Sequence, residues 1–116
     1  MNLKLILTKS AQGIVHSVTI EELDAYSKIG PFAEFKDFLE HFCDSINEKL
    51  IKWYLGVVEG IGEMTFEDGV IVVYWDDFPR GLNFDCPNKE VALKFLPKLQ
   101  WYLKAGGWDL PFEDMS

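Results

Sequence analysis

Residues 59–85 read EGIGEMTFEDGVIVVYWDDFPRGLNFD, and the fold turns on how this stretch pairs with itself. Asp68-Gly69 separates two runs of strand formers, Glu63–Glu67 and Val70–Trp75. A two-residue type I′ turn needs positive φ at both central positions, and Asp-Gly tolerates this at low cost, so the spacing predicts a hairpin closed there. The second run is β-branched and then aromatic, a composition that fits a pleated surface. Strand alternation puts Val70, Val72 and Tyr74 on one face and Ile71, Val73 and Trp75 on the other. Both sets are apolar, which predicts a central strand covered on both sides. Upstream, residues 52–58 read as a further strand, and Gly60 and Gly62 around Ile61 suggest a turn or bulge. Downstream, Leu82–Asp85 reads as a short strand after a Phe-Pro-Arg-Gly loop. The expectation is an antiparallel meander whose ends and turns carry its acids.

The rest of the chain supplies helices and a second hairpin. Leu3, Leu5 and Leu7 alternate with Lys4, Ile6 and Thr8, and residues 14–18 offer a pairing partner beyond an Ala-Gln-Gly turn. Thr19-Ile20-Glu21-Glu22 has the form of a capping box and predicts a short helix from Ile20 to about Lys28, stopped by Gly30. Pro31 to about Leu50 predicts a long amphipathic helix with Phe32, Phe35, Phe38, Leu39, Phe42, Cys43, Ile46 and Leu50 on one stripe. Asn88 caps a C-terminal helix whose stripe runs from Val91 to Leu103, with Pro97 predicting a kink or break inside it. Lys89, Lys94, Lys98 and Lys104 give that helix a basic side. Trp108 and Phe112 are expected to dock on the body, with the last residues frayed. The predicted fold is α+β: an antiparallel sheet of four to six strands, with the long helix and the C-terminal helix packed on it, in one domain over residues 1–116.

Composition narrows the function. The 116 residues carry 19 acids against 11 Lys and Arg, a net charge of −8, and no apolar run approaches membrane-spanning length. A charge of that sign repels phosphates, so neither nucleic acid nor an anionic membrane surface is an expected partner. A cationic partner is favoured instead. The excess is concentrated: residues 59–85 hold seven acids against Arg80 alone, whereas residues 86–104 are net basic. Cys43 and Cys86 are too few for a disulfide framework and read as free thiols of a cytoplasmic protein. The apolar part of the N-terminus is too short for a signal peptide and reads as a first strand.

Catalytic patterns do not assemble, and no enzyme activity, cofactor or metal is expected. His41 and Cys43 stand two apart on a helix and face different ways. The serines lie outside any nucleophile elbow, and no Lys-Ser or Lys-Thr follows the glycines in phosphate-loop fashion. Asp76-Asp77 and Glu67-Asp68 lack the spacing of a calcium loop. What stands out is surface chemistry. Glu63, Glu67, Asp68, Tyr74, Trp75, Asp76, Asp77, Phe78 and Asp85 combine aromatic rings with carboxylates. Rings offer buried area at low entropic cost, and carboxylates offer steering and charge-assisted hydrogen bonds.

In length, acidity, α+β pattern, aromatic richness and absence of catalytic motifs, the chain resembles bacterial immunity proteins. These are the small antidotes to cognate toxins, and the closest likeness is to those of contact-dependent growth inhibition systems. The resemblance implies a partner that is a basic toxin domain, often a nuclease, whose substrate groove is blocked by acidic surface. On that mechanism the expectation for this chain is that Glu63, Glu67, Asp68, Asp76, Asp77 and Asp85 contact toxin lysines and arginines, with Tyr74, Trp75 and Phe78 as anchors. Two other readings stay open. One is a homodimeric adaptor in which the basic last helix meets the acidic sheet end of its twin. The other is a small hydrolase or ligand-binding domain.

Overall fold

The computed structural model describes residues 2–10, 13–21, 35–56, 59–77, 80–107 and 109–115. Within them the chain forms β1 (Asn2–Ser10), β2 (Gly13–Glu21), α1 (Phe35–Ser45), β3 (Leu50–Leu55) and β4 (Glu59–Phe66), then β5 (Gly69–Asp77), β6 (Arg80–Cys86), α2 (Lys89–Ala105) and β7 (Phe112–Asp114). The strands make one seven-stranded sheet in the order β3-β4-β5-β6-β2-β1-β7. All neighbours are antiparallel except β1 and β7, which are parallel. The expected antiparallel sheet of four to six strands is therefore corrected to a mixed sheet of seven. The added strand lies in the tail. Phe112–Asp114 has too few residues and too much charge to read as a strand. Its flanks hold it in place: the Leu3 amide donates to the Pro111 carbonyl and the Met115 amide to the Leu5 carbonyl. Because α2 carries the chain from β6 past β2 and β1, β7 arrives parallel to its neighbour.

The hairpin of β4 and β5 closes one residue earlier than Asp68-Gly69. Phe66 pairs with Gly69, so Glu67 and Asp68 form the turn, and Glu67 takes a left-handed φ of 54°. Either register keeps Met64, Phe66, Ile71, Val73 and Trp75 on one face, because the two differ by an even number of residues. A carboxylate from elsewhere in the chain supports the observed one. Glu48 accepts from the Thr65 hydroxyl at 2.8 Å and from the Glu67 amide at 2.7 Å. Lys49 reinforces the junction, its amide donating to the Thr65 hydroxyl and its carbonyl accepting from the Thr65 amide. The glycines expected to turn lie inside β4 instead. Gly60 and Gly62 leave room for the indole of Trp53, and a Cβ on Gly62 would stand 2.6 Å from Trp53 Cε3.

Both helices pack on one face of the sheet. Phe42 of α1 sits at the centre, its ring 6.0 Å from Phe84, 5.8 Å from Phe95 and 5.1 Å from Tyr102. Around it lie Leu3, Leu5, Val18, Ile20, Met64, Ile71, Val73 and Leu82 from the strands and Phe38, Leu39, Ala92 and Leu99 from the helices. Covering β5 on both sides was the expectation, and among the described residues helix covers one side. Ile71, Val73 and Trp75 face the core, while Val70 is exposed and Val72 and Tyr74 are half-buried.

Helix α1 ends well before Leu50. Asn47 adopts a left-handed φ of 64°, its amide donates to the Asp44 carbonyl, and the Glu48 amide donates to the Cys43 carbonyl. This is the Schellman pattern with Asn in the place glycine usually takes, and it releases Leu50 to open β3. Residues 31–34, where that helix was expected to begin, lie outside the described residues. Most of the predicted helix from Ile20 to Lys28 does too, but Thr19, Ile20 and Glu21 belong to β2, so no capping box forms at Thr19. Asn88 caps α2 as expected, its side chain accepting from the Val91 amide at 2.9 Å. Pro97 does not break α2. It lies on the solvent side, where water can serve the Leu93 carbonyl that a proline leaves unbonded.

Candidate interaction surface

Strand alternation sends every second residue to the sheet face that α1 and α2 leave uncovered, and the register lines these residues up in rows. One row runs Lys52, Glu63, Val72, Asp85, Ser17, Ile6. The next runs Tyr54, Ile61, Tyr74, Asn83, Thr19, Lys4. A third pairs Glu59 with Asp76, Asp76 with Gly81 and Gly81 with Glu21. Tyr54, Ile61 and Tyr74 thus form an apolar strip between acidic rows. Tyr54 is 65% exposed on the edge strand β3.

The two ends of the face differ in accessibility. Toward β2, Ser17 and Thr19 are buried, with relative exposures of 1% and 5%. Their hydroxyl oxygens lie 3.2 Å apart. The Ser17 hydroxyl hydrogen-bonds the Asp85 side chain, which leaves the Thr19 hydroxyl to donate to Ser17. Burial pushes the Asp85 carboxyl above its ordinary range, and the Ser17 hydrogen bond opposes that shift. Toward β3, the residues are open to solvent: Lys52, Tyr54, Glu59 and Ile61 are all exposed. Lys52 is held by Glu63 at 3.1 Å, and Lys4 by Glu21 at 2.9 Å. Those pairs occupy the two lysines of the face, and Glu59 and Asp85 make no ion pair among the described residues.

The residues singled out from sequence separate into groups. Glu63, Tyr74 and Asp85 share the uncovered face, and the backbone of Asp76 continues their alternation. Asp77 pairs with Arg80 where β5 meets β6, and Phe78 lies outside the described residues. Trp75 is a core residue, its ring 5.0 Å from Phe35 and its surface 9% exposed, so it is not a surface anchor. Glu67 and Asp68 stand at the opposite end of β5 from Asp76, about 25 Å away at the usual rise per strand residue. Glu67 is engaged there, its carboxylate 3.8 Å from Lys94 of α2. The nine residues therefore do not make one patch. Tyr54, Glu59 and Ile61 were missed, although the alternation of residues 52 and 54 against 61 and 63 carries the signal.

The arrangement has the chemistry of a docking face: aromatic at its open edge and acidic around the rings. Both thiols lie elsewhere, Cys43 and Cys86 being buried and pushed up to about 12, mainly by desolvation. No helix among the described residues is long and apolar enough to cross a membrane. Comparison with family models, curated proteins and solved structures finds no match to this chain.

Proposed function

We propose that this protein is an immunity-type inhibitor that binds a basic toxin domain through the open, β3 to β5 part of the sheet face opposite α1 and α2. One observation carries the reading: Tyr54, Ile61 and Tyr74 form an apolar strip flanked by Glu59, Glu63 and Asp85. Rings and an isoleucine at an open edge supply area to bury, and carboxylates around them select a cationic partner. Asp85 adds a reason for a cation in particular. Its ionised form is disfavoured by burial, and an arginine or lysine arriving from a partner would relieve that penalty. Inhibition follows by occlusion. Where the toxin is a nuclease, the carboxylates occupy the positions of substrate phosphates. The net charge of −8 adds long-range steering, so association slows as salt rises.

The test begins with the gene directly upstream of this one, since an antidote is expected beside its toxin. The C-terminal domain encoded there is expressed with and without this protein, and growth is followed. Protection is expected from the wild type. A variant with Glu59→Lys, Glu63→Lys and Asp85→Asn is expected to fold normally and bind at least about a hundredfold more weakly. Full protection and unchanged affinity in that variant would remove the proposed face from consideration.

A further inference from the structure

A second surface lies on the opposite side of the molecule, where α2 passes the C-terminal segment. Three residues at four-residue spacing on the outer side of α2, Leu93, Pro97 and Trp101, face solvent, and the Trp101 indole is 57% exposed. Together they make a contiguous apolar stripe, and contiguity is what distinguishes an interaction surface from scattered exposed side chains. Lysines accompany them: Lys89, Lys98 and Lys104 make no ion pair among the described residues, whereas Lys94 is engaged by Glu67 and Glu90. In a chain of net charge −8, this helix face is the basic region.

Beside it runs a segment of opposite character. Residues 109–115 carry three acids and no cation; Glu113 pairs in register with Lys4 and falls on the other sheet face, which leaves Asp109 and Asp114 with the exposed ring of Phe112 on this side. Phe112 pairs in register with Leu3, whose side chain is in the core, so alternation puts Phe112 on the α2 side of the sheet. A groove of about 280 Å³ separates the two banks, with Leu3 and Leu103 in it, Gln100, Trp101 and Lys104 on one side and Asp109 and Leu110 on the other. A basic, ring-bearing bank and an acidic, apolar bank thus lie side by side across one groove.

We infer that this surface is a two-fold interface with a second copy of the chain. A two-fold contact needs one patch that complements itself after rotation. Rotation about an axis through the groove sets the basic bank of each copy against the acidic bank of the other and makes every favourable contact twice. A foreign acidic partner would use only the α2 bank and leave the acidic one idle. Edge-to-edge pairing of two β7 strands is disfavoured, because Glu113 and Asp114 would bring like charges together. The interface lies away from the uncovered sheet face, so it does not rest on the toxin-binding reading, and either can fail alone.

Sedimentation equilibrium of the full chain over a wide concentration range provides the test, with circular dichroism to show that each variant folds. The wild type is expected to approach twice the chain mass and to stop there. Gln100→Glu with Lys104→Glu reverses the basic bank, and Asp109→Lys with Asp114→Lys reverses the acidic one. Each variant alone is expected to weaken self-association by roughly a hundredfold. Mixed together they are expected to form a heterodimer, because each then meets a complementary bank. Trp101→Ala is expected to weaken the wild-type dimer about tenfold or more. A wild type that stays monomeric at millimolar concentration would overturn the inference. So would mass that grows past two copies, a dimer indifferent to these substitutions, or mixed variants that remain monomers.

Discussion

Strand β5 presents two faces built from nearly the same residues, and they meet different surroundings. Ile71, Val73 and Trp75 lie under the helices, whereas Val70, Val72 and Tyr74 lie on the side the helices leave uncovered. Composition cannot separate them, since β-branched and aromatic side chains suit a pleated strand on either face. Their cross-strand neighbours do separate them. The inner face meets glycines, Met64, Leu82 and Phe84, and the outer face meets Glu63, Ile61, Asn83 and Asp85. A strand's function is therefore read from what the register sets beside it.

If the inner face carries stability and the outer face carries recognition, substitutions should divide accordingly. The largest effect is expected from Phe42→Ala, which empties the site where α1, α2 and β6 meet and should cost about 3–5 kcal/mol in urea unfolding. Gly62→Ala comes next, at about 1–3 kcal/mol, because the new methyl meets the Trp53 ring and the Lys52 carbonyl, and backbone cannot swing aside. Glu48→Ala should cost roughly 1–2 kcal/mol by releasing Thr65 and the left-handed Glu67. On the outer face, Tyr54→Ala should change stability by no more than about 0.5 kcal/mol while weakening partner binding. A Tyr54 variant that unfolded the protein would erase the division.

Asp85 gives the finest test, because its sign depends on pH. Its folded-state carboxyl is raised above the ordinary value of 3.8, so the folded chain binds more protons than the unfolded one between the two values. Stability should fall as pH rises through that interval and stay lower at neutral pH. Asp85→Asn should thus be the more stable protein at neutral pH, with the advantage vanishing in acid below the ordinary carboxyl range. Denaturant midpoints at the two pH values decide it. An advantage that persisted unchanged in acid would mean that the charge is not its source.

Much of the architecture was legible, and the failures have local causes. Periodicity located both helix stripes, and Asn88 marked the start of α2. Asn47 was overlooked because glycine is the expected left-handed stop, and an asparagine can take that role. Thr19 and Glu22 matched a capping box by spacing alone, yet strand pairing of Thr19 with Lys4 and Asn83 claims the backbone first. The turn moved to Glu67-Asp68 because Glu48, distant in sequence, holds the Glu67 amide. The candidate site suffered most. Acids adjacent in sequence were grouped although β5 sets Asp68 and Asp76 at opposite ends, while only pairing puts Tyr54 in one row with Tyr74 and Glu59 beside Asp76.

The most direct measurement is a paired affinity capture from lysate of the source cells. One bait is the wild-type protein, and the other carries Glu59→Lys, Glu63→Lys and Asp85→Asn. Both are washed alike and eluted with a salt step. The expected result is a basic toxin domain released by salt from the wild-type bait and absent from the folded variant. The same basic protein on both baits, or none on the wild type, would contradict the assignment of recognition to the uncovered sheet face.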